Sequence, residues 1–186
     1  MSSLIRIANR ALSRIGEPPI LDLAEDTRRA REFEIHYEGT RDELLRTGLW
    51  NFATKRAQLA PLATGPVFGD FTYQFPLPND FIRVFRIDPD WADYKVEDGN
   101  VLYDDSELDL KYIYRVTEVG RFDPIFESAL VLKLAAVLAK VLTGNTELAV
   151  QLEAEASALI PAAMGIDAQE GTPDPIEADL WLDSRG

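Results

Sequence analysis

Carboxylates are the side chains best suited to do chemistry in this sequence of 186 residues. Nine of them, with a single lysine, fall in the short segment from residue 88 to residue 109. They are Asp88, Asp90, Asp93, Glu97, Asp98, Asp104, Asp105, Glu107 and Asp109. Carboxylate oxygens are preferred ligands of Mg²⁺ and Ca²⁺, so the first three of these residues, or Asp104, Asp105 and Glu107, could bind a cation together.

The acidic segment has no EF-hand pattern, which leaves three interpretations open. The carboxylates could be solvated residues of turns and edge strands, where Asp is favoured and charge discourages edge pairing. They could form a negatively charged functional surface. They could also hold a divalent metal for a phosphoester hydrolase, although no Lys, His or Glu stands at a motif spacing to share that work.

Other catalytic constellations are missing from the sequence. There is no cysteine, and the only imidazole is that of His36, in the middle of a predicted helix, so no pair of nucleophile and base is indicated. We interpret His36 as a helix-surface residue. Neither phosphate-loop motif, G-x-x-x-x-G-K-[ST] or G-x-G-x-x-G, occurs. We therefore expect no enzyme activity, no catalytic residue and no cofactor.

The charge of the chain is distributed unevenly. Residues 1–60 hold ten of the 19 basic and nine of the 32 acidic side chains, a net charge of +1, so the remaining 126 residues are net −14 and account for the formal net charge of −13. This balance argues against a nucleic-acid binder with a general basic surface. In the first segment Arg6, Arg10 and Arg14 share one helical face, because positions four residues apart are neighbours. That stripe is either an interface with another chain or with phosphates, or an exposed solubilising face.

Composition predicts one folded domain of the α+β class. The chain of 20.8 kDa is 46% apolar, which is enough for a real core without disulfides or structural zinc. No segment approaches the roughly 20 apolar residues that span a bilayer, and the first residues lack the plan of a signal peptide. We expect a protein that is made and folded in the cytoplasm and has no membrane partner.

The predicted architecture is a bundle of about four helices with a small antiparallel β insertion. Apolar spacing and stop signals predict helices over 3–16, 26–47, 124–143 and 146–163, with Asp26 as a cap of the second. The first two helices are expected to pack antiparallel. From residue 50 to 116 the helical period gives way to alternating patterns, with a hairpin turn at Asp98-Gly99. One more strand is predicted over residues 108–115, where Leu108, Leu110, Tyr112 and Tyr114 alternate with Asp109, Lys111, Ile113 and Arg115.

Residues 165–186 are predicted to form an extended C-terminal arm on the domain formed by residues 1–164. This segment is acidic and contains prolines, yet it carries the apolar residues Ile176, Leu180, Trp181 and Leu182. These side chains are too apolar for a purely solvated tail, so we expect the arm to dock on a neighbouring surface.

Three stretches of the sequence resemble the bacteriophage head-to-tail adaptor proteins, the family that includes tail tubular protein A of short-tailed phages. They are Ala11-Leu12-Ser13-Arg14-Ile15-Gly16-Glu17-Pro18-Pro19-Ile20, Leu49-Trp50-Asn51-Phe52-Ala53 and Phe75-Pro76-Leu77-Pro78-Asn79-Asp80-Phe81-Ile82-Arg83-Val84. The third is similar to the family pattern F-x-L-P-x-D-[FY]-L-R-V. An alanine-rich helix with an acidic successor follows, so the likeness covers about residues 4–160.

The resemblance implies a non-enzymatic virion protein that is made in the bacterial host. It forms a commonly dodecameric ring at the head-to-tail interface, which docks on the portal, joins it to a tail or nozzle protein and lets double-stranded DNA pass without specific binding. Under this hypothesis Arg6, Arg10, Arg14 and the apolar residues of the arm contact other subunits or the portal. The acidic residues from Asp88 to Glu107 are then candidates for the channel wall, where they repel phosphate.

Two alternatives to a connector subunit remain from the sequence. One is the divalent-metal phosphoester hydrolase built on the carboxylates of residues 88–109. The other is an acidic interaction module that mimics the charge of DNA.

Overall fold

The computed structural model describes residues 3–169 and consists of four helices with six β-strands between the second and the third. The helices are α1 (Leu4–Arg14), α2 (Arg28–Thr47), α3 (Pro124–Leu138) and α4 (Thr146–Gln169). The strands are β1 (Thr54–Leu59), β2 (Tyr73–Pro76), β3 (Phe81–Asp88), β4 (Lys95–Glu97), β5 (Asn100–Tyr103) and β6 (Leu108–Tyr114). The predicted α+β class, with a β insertion in a set of four helices, is confirmed.

Helix ends are set by side chains that accept hydrogen bonds from free backbone amides. Ser3, Thr27 and Asp123 cap α1, α2 and α3 in this way. The predicted cap at Asp26 is wrong, because the Thr27 hydroxyl accepts the hydrogen bond from the Ala30 amide. Asp26 instead forms an ion pair with Arg31.

Helix α3 is the centre of the helical half. It packs against α1, α2 and α4, and most of its side chains are buried, as its apolar sequence predicts. The expected antiparallel pairing of α1 with α2 is therefore wrong, since both helices pack chiefly on α3. A short π-helical turn, Ala139–Thr143, extends α3, and Gly144 ends it with a φ of +70° that glycine adopts without strain.

The strands form two antiparallel sheets of three strands each, in the orders β1-β6-β3 and β2-β5-β4. The predicted hairpin is confirmed: β4 and β5 are joined at Asp98 and Gly99, whose φ angles of +45° and +72° suit a two-residue turn. Buried side chains of both sheets, among them Phe75, Val101 and Leu110, belong to the same hydrophobic core as the helices.

Helix α4 runs to Gln169, past the predicted end at residue 163. The first five residues of the predicted arm, 165–169, are thus helical rather than extended. The rest of the arm, with Ile176, Leu180, Trp181 and Leu182, lies outside the described residues. No helix within residues 3–169 is long and apolar enough to cross a membrane.

Candidate interaction surfaces

The arginine stripe of α1 is paired with carboxylates of the same chain. Arg6 and Arg10 both contact the Glu127 carboxylate of α3, and Arg14 contacts Glu155 of α4. The Glu127 side chain is only 7% exposed, so it depends on these partners for the solvation that water no longer provides. The stripe therefore fastens α1 to the helices beneath it.

The same arginines remain partly open to solvent. Their side chains are 54%, 42% and 46% exposed in chain order, and they border a groove between α1, α3 and α4. The structure thus adds a third interpretation of the stripe, an intramolecular bridge, to the interface and the solubilising face that the sequence left open. Contact with another subunit or with the portal stays a prediction.

A second buried charge, Lys133, joins three helices. Its ammonium lies 3.0 Å from the Glu43 carboxylate of α2 and 2.8 Å from the Glu153 carboxylate of α4. Burial alone would lower the pKa of Lys133, but the hydrogen bonds to Glu153 and Glu43 outweigh it and raise the pKa above its usual value. Lys133 stays charged and bridges α2 and α4 to α3.

The first stretch that carries the family resemblance forms the end of α1 and the return of the chain. Gly16 has a φ of +76°, and the Glu17 amide donates to the Leu12 carbonyl over 3.0 Å, which closes the helix. The Asn9 side chain then binds the backbone of Ile20 twice, at 2.9 and 2.8 Å. These residues fix where the loop after α1 comes back to the core.

The second stretch anchors the start of the β insertion on the helices. Trp50 is 1% exposed, donates its indole N–H to the Leu44 carbonyl over 3.1 Å, and meets the Phe126 ring edge-on at 5.1 Å. Phe52 also packs against Phe126, at 5.0 Å. Gly48 leaves room for the indole, because a Cβ there would lie 2.7 Å from it.

The third stretch forms the turn from β2 into β3 and centres on Asp80. Its carboxylate pairs with Lys55 of β1 and accepts a hydrogen bond from the Tyr112 hydroxyl of β6 over 3.1 Å. Burial alone would raise the pKa of Asp80, but the bonds from Lys55 and Tyr112 outweigh it and lower the pKa. Burial and the neighbouring Asp80 raise the pKa of Tyr112 to about 12.

The structure places the acidic candidates at several points of the β insertion. Asp88 stands opposite Asp109 at one end of the β1-β6-β3 sheet. Asp93, Asp104 and Asp105 line one depression. Glu97 and Asp98 lie at the tip of the hairpin, where Glu97 pairs with Lys95. Asp90 and Glu107 are in the connecting loops, and both are exposed.

The depression lined by Asp93, Asp104 and Asp105 also has aromatic walls. Trp91 contributes a side chain that is 82% exposed, and Tyr73 and Tyr103 also line the depression. The Asp104 carboxylate accepts hydrogen bonds from the Thr72 amide and hydroxyl at 2.9 and 3.1 Å, which fixes its position. We refer to this surface as the acidic depression.

No three His, Asp or Glu side chains come together as a metal-binding group in the part of the chain that the structure describes. The carboxylates that sequence spacing grouped for a cation are instead spread over sheet, loop and depression. His36 is partly exposed on α2, next to Glu32, as predicted for a helix-surface residue.

Sequence reasoning missed a row of cations on the open face of the β1-β6-β3 sheet. Arg56, Lys111 and Arg86 are direct partners in the strand register and line a shallow depression. The alternation in β6 pointed to the face of Lys111, but no local signal gives its partners on β1 and β3. Glu127 was also missed, although the one acid in a mostly apolar helix could have drawn attention to it.

No protein-family model matches the chain. No curated protein matches it either.

Proposed function

We propose that this chain is a structural subunit of a phage head-to-tail connector ring, in a phage or a particle derived from one. In this role it docks on the portal, joins it to the tail and forms part of the channel for DNA. The proposal includes a homo-oligomeric ring in the virion, and it requires no catalytic residue or cofactor.

The observation that carries the proposal is the position of the three stretches that resemble the adaptor family. Each lies where the chain changes direction: at the return after α1, at the entry into the β insertion and at the turn from β2 into β3. They are held within the fold by packing and hydrogen bonds: the Asn9 side chain binds the backbone of Ile20 in the first stretch, and Trp50 and Asp80 bind through their own side chains in the other two. Residues that maintain the fold in this way suit a protein with a structural function, such as a subunit of a ring.

The charge distribution supports the same proposal. The exposed carboxylates of the β insertion give the chain a negative surface, which suits a passage for DNA because a wall that neutralised many phosphates would bind the duplex tightly. The metal-dependent hydrolase finds no such support, since its carboxylates do not converge in the described residues. No observation favours a DNA mimic over the connector.

The test is the location of the chain in particles. Particles are purified from cells that carry the gene, their proteins are identified by mass spectrometry, and the head-to-tail region is imaged by cryo-electron microscopy. A ring of this chain between portal and tail is the expected result. Particles that assemble complete tails without the chain would overturn the proposal.

The arm is tested in the same particles by deleting residues 170–186, which keeps every described helix and strand. The shortened chain is expected to fold and to dock more weakly on the portal, as measured by its copy number per particle. A matched variant, Leu180→Asp with Trp181→Asp, keeps the length and removes two apolar anchors. An unchanged copy number in both variants would remove the arm from the proposal.

A further inference from the structure

The outer face of the β1-β6-β3 sheet has an unusual order of charges. Arg56, Lys111 and Arg86 stand directly opposite one another on the three strands, about 4.8 Å apart from strand to strand. Like charges in directly opposed positions destabilise a sheet. Arg56 is exposed and the other two are half-buried, so the row lies at the surface of the molecule. We refer to it as the cation row.

The next row on the same face carries the opposite sign. Two residues along each strand, Gln58, Asp109 and Asp88 are direct partners, so two carboxylates stand opposite each other. The register therefore sorts the charges by row, although opposite charges on neighbouring strands would stabilise the isolated sheet better. Sorting by row gives the face a positive and a negative side, which fixes the orientation of any partner that docks there.

The acidic depression has the chemistry to receive the cation row. It presents Asp93, Asp104 and Asp105 beside the exposed indole of Trp91. A guanidinium binds carboxylates through its fork of donors and stacks on an indole at the same time, so an arginine satisfies both features of the depression. Tryptophan and arginine are also the residues that most often dominate the energy of interfaces.

We propose that the cation row of one copy docks on the acidic depression of a second copy. The inference rests on the proposed function, since it names the contact between neighbouring subunits of the ring. The two surfaces are different parts of the chain, so the contact is heterologous and leaves one free surface of each kind on every pair. Heterologous contacts propagate from copy to copy, and they form a ring where the rotation between neighbours closes.

A second copy fits the cation row better than DNA does. A chain with a formal net charge of −13 repels a phosphate backbone over most of its surface, and Asp88 and Asp109 flank the row itself. A protein partner that presents three carboxylates and an aromatic side chain matches the row locally. The chain carries such a surface at the loops that follow β3 and β5.

The experiment uses two charge-neutralising variants of the full chain. Arg56→Gln with Arg86→Gln removes both arginines of the cation row, and it is expected to fold because it relieves the repulsion around Lys111. Asp93→Asn with Asp105→Asn neutralises the depression and spares Asp104. The matched control, Arg31→Gln with Lys140→Gln, removes the same number of charges on the helices. Circular dichroism and thermal unfolding establish that each variant is folded.

Self-association is measured by analytical ultracentrifugation over a range of concentrations at moderate salt. The wild type and the control are expected to associate, and each surface variant alone to associate at least about tenfold more weakly. An equimolar mixture of the two surface variants is expected to form dimers and nothing larger, because only one intact surface of each kind remains. That limit to dimers is specific to a heterologous contact.

Several results would overturn the inference. They are a wild type that stays monomeric at its highest soluble concentration, variants that associate like the control, and a mixture that does not dimerise. A short DNA duplex that binds the wild type but not the cation-row variant would assign the row to nucleic acid instead. A ring in particles that tolerates both surface variants would contradict this contact and leave the connector standing. Association through these surfaces in a chain that no particle contains would contradict the connector alone.

Discussion

In the helical half of the molecule, Glu127 lies between two arginines of α1, and Lys133 lies between glutamates of α2 and α4. In the β insertion, Arg56, Lys111 and Arg86 stand opposite one another on three strands. The helices thus satisfy their buried charges within the chain, whereas the sheet sorts its charges by sign on an open face. The difference separates charges that bridge elements of the fold from charges that lie side by side on an open surface.

The largest expected effect comes from a comparison of two tryptophans, the buried Trp50 and the exposed Trp91. Trp50→Ala is expected to lower the free energy of unfolding by about 3–5 kcal/mol, because it empties the aromatic contact between α3 and the β insertion. Trp91→Ala removes a side chain that is 82% exposed, so it should change the free energy of unfolding by less than about 0.5 kcal/mol. Urea denaturation measures both values. Similar losses of unfolding free energy in the two variants would contradict the distinction between residues that hold the fold together and residues that lie on its open surface.

Glu127 tests the arginine stripe of α1. Glu127→Gln is expected to cost about 1–2 kcal/mol of stability, since a neutral amide replaces the carboxylate that binds Arg6 and Arg10. Glu107→Gln, on an exposed loop residue, is the matched control and should stay within about 0.5 kcal/mol. Equal urea midpoints for the two variants would show that the stripe contributes nothing to the fold.

Two glycines should respond with opposite signs to the same substitution. Gly39→Ala lies on the exposed side of α2 with no atom in the way, and should stabilise the protein by about 0.5–1 kcal/mol. Gly99→Ala should destabilise it by about 1 kcal/mol, because a side chain at a φ of +72° is strained. Thermal unfolding of the two variants measures the pair. A Gly99→Ala variant as stable as the wild type would contradict the need for glycine at this position of the turn.

The last test is the pH dependence of stability that Asp80 confers. The pKa of Asp80 is lowered in the folded protein, so its contribution is present above the ordinary value of 3.8 and is lost as the pH falls through the folded pKa. Asp80→Asn should therefore be less stable than the wild type by about 1 kcal/mol at pH 7, and this gap should close below about pH 4. Asp105→Asn is the control. A stability gap that persists in acid would contradict a lowered pKa for Asp80 in the folded protein.

Local features of the fold followed from the sequence with few errors. The Asp98-Gly99 turn and strand β6 were predicted within a residue, because period-two alternation and turn residues are local signals. The cap of α2 was misplaced by one residue, since Asp26 and Thr27 can both serve and only the backbone at Thr27 decides. Pairing of α1 with α2 was wrong because α3, which buries nearly all its faces, competes for both.

The candidate surfaces were harder to predict than the elements that carry them. Sequence spacing placed Arg6, Arg10 and Arg14 on one face but gave no partner for them, and Glu127 and Glu155 lie more than 100 residues away along the chain. Spacing likewise grouped the carboxylates of residues 88–109 for a cation. The strands and loops that carry them then point to different parts of the surface.

The sequence by itself determined the class of fold, the four helices, the hairpin and the absence of thiol chemistry, because composition, periodicity and turn residues act over a few positions. Only the tertiary structure decided which charges meet. Strand register sets Arg56 beside Lys111 and Arg86, and helix packing brings Glu127 under the stripe of α1. Both depend on contacts between distant segments, where burial of the common core fixes the alignment and side-chain charges follow from it.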